Sequence, residues 1–145
     1  MSPKEFLGKE NELLITQAIE QAEHQTSGEI RVHLETKCGE DVLDRAAWLF
    51  KKLKMNETKD RNGVLIYLSI NDRKFAIIGD AGINKVVPEG FWNENKEMMI
   101  SHFSKGEFAL GIINGIEKTG EQLKQYFPYQ TNDVNELSDE ISYGE

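Results

Sequence analysis

Apolar residues recur along this chain in distinct rhythms, and the changes of rhythm mark its elements. Leu14, Ile15, Ala18, Ile19 and Ala22 fall at helical spacing, which predicts a helix running to about Gln25. A short helical turn should precede it, because Ser2-Pro3-Lys4-Glu5 reads as a capping box with proline at the first helical position and Gly8 as its break. Glu29 to Thr36 then switches to strict alternation, with Ile30, Val32 and Leu34 set against Arg31, His33 and Glu35. That pattern predicts a strand with one buried face. Helical spacing returns after Asp41 in Val42, Ala46, Leu49, Phe50 and Leu53.

Gly63 to Ile70 is apolar on both faces, which marks the central strand. Asn71-Asp72 turns the chain, Lys74 to Gly79 returns antiparallel, and Asp80-Ala81-Gly82 closes that strand. Two further helices are expected, from about Phe91 to Phe103 and from Glu107 to about Phe127, separated by Ser104-Lys105-Gly106 and ended by Pro128. Gly111 and Gly115 on the last helix are expected to let it approach the sheet closely. The predicted fold is therefore α/β, a three-layer α/β/α sandwich around a small mixed β-sheet. Residues 1–128 form one domain, and 129–145 an acidic, flexible tail.

Charge narrows the partners. The chain carries 25 acidic against 17 basic side chains, a net charge of −8, so nucleic acid is a poor match for its surface. Five of those acids (Asp133, Glu136, Asp139, Glu140 and Glu145) lie in the tail, where there is no base. The field over the domain is thus mildly negative and favours cations. A single cysteine, Cys38, rules out an internal disulfide and leads us to expect a reducing, cytoplasmic compartment and a monomer. No stretch approaches the roughly 20 apolar residues of a transmembrane helix, and the first residues lack the apolar run of a secretory signal.

Topology points to the candidate chemistry. A strand–helix–strand unit makes the first two strands parallel, and the hairpin makes the third antiparallel. Glu29, Asp60, Asn62 and Asp80 therefore converge on one end of the sheet from three separate loops. Clustered carboxylates repel one another unless a cation neutralises them, and an oxygen-only set favours Ca²⁺, then Mg²⁺. Asp80 and Asn62 also fit the plainer role of closing turns, and acids at strand ends are often simply solvated. Other motifs fail. Asp60-Arg61-Asn62-Gly63 resembles part of an EF-hand loop, but Thr58 and Ser69 occupy its first and twelfth positions. Cys38 stands seven residues before Arg45, one too many for a cysteine-phosphatase loop, and reads as an inert strand-end residue. His24, His33 and His102 lack metal-binding spacing and read as surface or packing residues.

An ordered set of segments matches a known family: Ile19-Glu-Gln-Ala-Glu23 leading to Thr26-Ser-Gly-Glu-Ile30, Asn62-Gly-Val-Leu-Ile66, Ile78-Gly-Asp-Ala-Gly82, and Phe103-xx-Gly106-xxx-Ala109-xx-Ile112. Over residues 8–127 the chain resembles the TPM domain of thylakoid-lumen, photosystem II repair, receptor-auxiliary and bacterial proteins, in its stand-alone bacterial form. The resemblance implies an α/β/α sandwich with Ca²⁺ or a related ion in an acidic pocket at one sheet end. For some members it also implies acid phosphatase activity. It maps Glu29 after the Thr-Ser-Gly turn, Asp60 just before Asn62-Gly63, and Asp80 in the turn after the hairpin, where many relatives carry an uncharged or aromatic residue. The functions to weigh are a divalent-cation site, a metal-dependent phosphomonoesterase with Arg61 or Lys59 as phosphate clamp, and an interaction domain. In the last case a protein partner would dock on the cover around Trp92 or on the acidic tail.

Overall fold

The structure, a computed structural model, describes residues 1–130 and 136–144. Helices α1 (Pro3–Leu7) and α2 (Lys9–Glu23) lead into β1 (Glu29–Glu35). Helix α3 (Val42–Lys52) crosses to β2 (Gly63–Ser69), which turns into β3 (Lys74–Gly79). A short α4 (Ala81–Asn84), α5 (Asn93–Ser104) and α6 (Phe108–Leu123) follow, and β4 (Ser142–Tyr143) closes the chain. The expected capping box is present, with Ser2 Oγ accepting from the Glu5 amide at 3.1 Å.

The sheet order is β3-β2-β1-β4, with β1 parallel to β2 and β4, and β3 antiparallel to β2. Every residue of β2 is buried, as a strand covered on both faces requires. Its Val64, Ile66 and Leu68 join Ile30, Val32 and Leu34 beneath α2, α5 and α6. On the opposite face Leu65 and Tyr67 pack with Ala46, Leu49 and Phe50 of α3. The three-layer α/β/α reading holds. No helix among the described residues is long and apolar enough to cross a membrane.

Three expectations change. The segment after residue 128 was expected to be a flexible tail. Residues 136–144 instead lie against the sheet, with Leu137 and Ile141 buried and β4 paired to His33 and Leu34. These two apolar side chains, four residues apart in an acidic stretch, give the segment enough apolar surface to dock. Asp133 and Glu145 lie outside the described residues. The second change concerns Gly111 and Gly115, which face α5 rather than the sheet. A methyl group at these positions would come within 2.6 Å of Phe103 and 2.7 Å of Met99. Their missing side chains let α5 and α6 pack closely.

The segment's return also changes β1. Its alternate face, Glu29, Arg31, His33 and Glu35, was expected to meet water. Glu29, His33 and Glu35 are buried instead. Such burial demands partners, and the partners found define two polar clusters.

Candidate functional site

The first cluster lies where β1 and β2 begin, and Glu29 pairs with Gly63 in the sheet register. The Glu29 amide donates to the Asn62 carbonyl at 3.2 Å. Glu29 Oε1 accepts from the Glu136 amide at 2.8 Å, which ties the C-terminal segment to the sheet. Its other oxygen, Oε2, is buried, with the Glu23 carboxyl as side-chain hydrogen-bond partner of Glu29, and Asn62 Oδ1 is buried with no partner among the described residues, while the Asn62 amide nitrogen donates to the Ser27 carbonyl at 3.1 Å. Two buried acceptor oxygens thus sit at one strand end, and Asn62 Oδ1 still needs a donor or a cation.

Glu23 and Asp139 complete this end. Glu23 is the last residue of α2, and its Oε2 accepts from the Ile30 amide at 3.1 Å. Burial, with Asp139 and Glu29 beside it, pushes its carboxyl up to about 11. Burial raises Glu29 as well, partly offset by the Glu136 amide. At neutral pH these acids resist ionising together, as like charges in a low-dielectric site must. Among the described residues no group of three His, Cys, Asp or Glu side chains is placed to hold a metal ion. The available donors are all oxygens, and they include a side-chain amide. That set suits Ca²⁺, which tolerates irregular geometry and completes its shell with carbonyls and water.

The predicted residues separate into two groups. Glu29 and Asn62 come together. Asp80 lies at the same sheet end but beyond β2, two strand spacings or roughly 10 Å from β1. Both its oxygens are held by Arg61, at 2.7 Å from Nε and 2.8 Å from Nη2, and Oδ1 also caps α4 through the Ala81 amide. Asp60 is exposed on its loop. Its carbonyl is functional in packing, because a methyl group on Gly82 would lie 2.2 Å from it and 2.6 Å from the Arg61 carbonyl. Gly82→Ala must therefore push the 60–61 loop outward. We expect a loss of about 2 kcal/mol or more, read as a lower urea midpoint at unchanged slope.

Glu23, Asp139 and Glu136 were missed from sequence. A signal for Glu23 existed. It places a negative charge at the C-terminal end of a helix with no base in its last turn, against the helix dipole. Asp139 had only the neighbouring Leu137 and Ile141 to suggest docking.

The second cluster lies further along β1. Glu35 accepts hydrogen bonds from both Arg45 and Tyr67. Burial raises the Glu35 carboxyl, but these donors outweigh it and hold it below the usual carboxylate range. His33 Nδ1 is hydrogen-bonded to Ser142 Oγ at 2.7 Å, and its ring stacks on Tyr67 at 6.0 Å. Burial depresses its pKa to about 4 despite Glu35 nearby, so at neutral pH it is an uncharged packing residue. Cys38 is buried beside it, with Sγ donating to the Glu40 carbonyl at 3.1 Å. Every member of this cluster except His33 Nε2 is satisfied by protein groups, which marks it as a structural network.

Comparison with known proteins agrees with the fold. The NMR structure of BA42 protein from the psychrophilic Bizionia argentinensis is 48% identical, covers 97% of both chains and superposes with a TM-score of 0.92. The N-terminal domain of a P. gingivalis protein is 19% identical over 87% of this chain and 83% of its own, with a TM-score of 0.70. That of cg2496 from Corynebacterium glutamicum is 15% identical over 95% and 80%, with a TM-score of 0.61. These last two share the fold. No functionally curated protein matches the chain. The TPM domain family model matches residues 1–122, and with that match the chain belongs to the TPM domain family.

Proposed function

We propose that this TPM domain binds a divalent cation, Ca²⁺ in preference to Mg²⁺, at the end of the sheet where β1 and β2 begin. The observation that carries the reading is the buried oxygen cluster at this strand end, where Glu29 lies against the Glu23 carboxyl and Asn62 Oδ1 has no partner among the described residues. Glu23 and Asp139 would supply further oxygens. A bound ion would offset the burial and the neighbouring carboxylates that hold the Glu23 carboxyl up, and binding would release its proton. Asp60 and Asp80, which the sequence pattern placed in the same set, are left out of the ligand shell because Asp60 is exposed and Asp80 is held by Arg61.

Phosphoryl transfer is less well supported. Arg61, the guanidinium nearest in sequence to the carboxylates, is committed to both oxygens of Asp80. A phosphate clamp would have to break that bidentate pair. On the interaction-domain reading, residues 136–144 of the acidic segment would meet a partner from their docked position on the sheet.

The test is an NMR titration of metal-stripped protein with Ca²⁺ and then Mg²⁺. Saturable amide shifts are expected at Gly28–Ile30, Asn62–Gly63 and Leu137–Glu140. Ca²⁺ at a hundred times its Kd should add about 2.7 kcal/mol of stability. Glu29→Gln should remove both responses, and Asp80→Asn should keep the shifts. Loss of the response in Asp80→Asn with retention in Glu29→Gln would overturn this assignment of ligands.

A further inference from the structure

A cleft of about 520 Å³ opens at the end of the molecule opposite the carboxylates, between α1, the β2–β3 turn, α5 and the start of α6. Its wall is a continuous row of aromatic rings. Phe6 meets Phe108 at 5.1 Å, Phe108 meets Phe103 at 5.4 Å, and Phe103 meets Phe75 at 5.3 Å between centroids. Ile100, 53% exposed, forms part of the rim, and Phe6 is 44% exposed. Apolar side chains this exposed need an explanation when they are contiguous. An adjoining cleft of about 470 Å³ shares Phe6 and Phe108, so the apolar surface continues around α1.

Among the described residues one charged side chain lines the 520 Å³ cleft: Arg73. In a chain of net charge −8, the described lining of this cleft holds one guanidinium and no carboxylate, while Glu107 lines the adjoining one. Arg73 sits in the left-handed conformation, φ 54°, and its neighbour Asp72 turns away to accept the Cys38 amide at 2.7 Å. That leaves Arg73 without an acidic partner from its own turn.

We propose that this cleft binds an amphipathic monoanion, an alkyl or aryl-alkyl carboxylate, with its apolar body along the phenylalanine row and its carboxylate on Arg73. The volume falls within the range of small-molecule sites, about 300–1,000 Å³. A guanidinium pairs naturally with a carboxylate through two parallel hydrogen bonds. A second copy of the chain fits less well, because a two-fold contact over this face would bring the two Arg73 side chains towards each other.

The test titrates the full chain with decanoate, with decan-1-ol as its uncharged homologue and with acetate as the charge alone, following aromatic and methyl NMR signals. Saturable shifts of Phe6, Phe75, Phe103, Phe108 and Ile100 are expected with decanoate. Arg73→Gln should weaken decanoate about fivefold and leave decan-1-ol unchanged. Ile100→Trp, at an exposed position that leaves the core intact, should block both by filling the mouth. The proposal is overturned if decanoate shows no saturation below about 1 mM. Equal affinity for decan-1-ol and decanoate, or the same shifts from acetate, would overturn it too. So would a sedimentation coefficient that rises with protein concentration and falls when Ile100 is changed, which would assign the face to self-association.

Discussion

Arg45→Met is expected to cost about 3 kcal/mol of folding free energy, because it strands a carboxylate that cannot reach water. Glu35 is 2% exposed and holds Arg45 through both oxygens, while Arg45 itself reaches solvent along a quarter of its surface. Removing the guanidinium leaves Tyr67 as the strong donor, which places the loss at the lower end of the range for broken buried pairs. The methionine keeps most of the stem's packing, so the loss reports charge rather than volume. Urea unfolding at pH 7 measures it. Adding Glu35→Gln to Arg45→Met should recover part of the loss, since the buried group is then neutral. A double variant no more stable than the single one would show that the stem's packing, and not the charge, was lost.

The second large effect is a pH dependence that reverses between the two ends of β1. Glu23, pushed up to about 11 by burial, Asp139 and Glu29, holds its proton more tightly folded than unfolded. Its contribution is therefore fully present below its unfolded value of about 4.5 and is lost as pH rises above it. Glu29 shifts in the same direction. His33, depressed to about 4, and Glu35, held low, have the opposite sign, and their contributions are lost as pH falls. For His33 that loss begins below its unfolded value of about 6.5. Metal-stripped protein should thus be most stable in mildly acidic solution and weaken towards pH 8. Glu23→Gln should flatten the alkaline flank and stabilise the stripped protein at pH 8 by about 1–2 kcal/mol, a value reduced for the residue's partial exposure. Urea midpoints from pH 5 to 8 in chelator check this. A steeper alkaline decline in Glu23→Gln would mean that its carboxyl is already ionised and paired.

The parts of the fold carried by repetition were legible in the sequence. Alternation in Ile30, Val32 and Leu34 fixed a face of β1, and the unbroken apolar run from Val64 to Leu68 marked the central strand. Crossover handedness then put Glu29, Asn62 and Asp80 at one sheet end, where they are found. What periodicity could not reach was β4. It is two residues long, Ser142–Tyr143, and follows an acidic stretch whose apolar residues are only Leu137 and Ile141. Missing that strand had two results. The second face of β1 was assigned to water, and Glu136 and Asp139 were left out of the site. The pairing of Asp80 with Arg61, whose backbone is left-handed at φ 50°, is announced by no local pattern.

The docking of β4 brings together residues far apart along the chain, Ser142 and His33 being separated by 109 positions. Contacts of that span carry the largest loop-closure entropy and form after the local ones in most folding schemes. Ile141 and Leu137 of the same segment join the core clusters on the two faces of the sheet. Opening of residues 136–144 alone would withdraw Leu137 and Ile141 from the core. Such opening would return Glu29, His33 and Glu35 to water in a single step, so the solvation of half of β1 is governed by the docking of this one short segment.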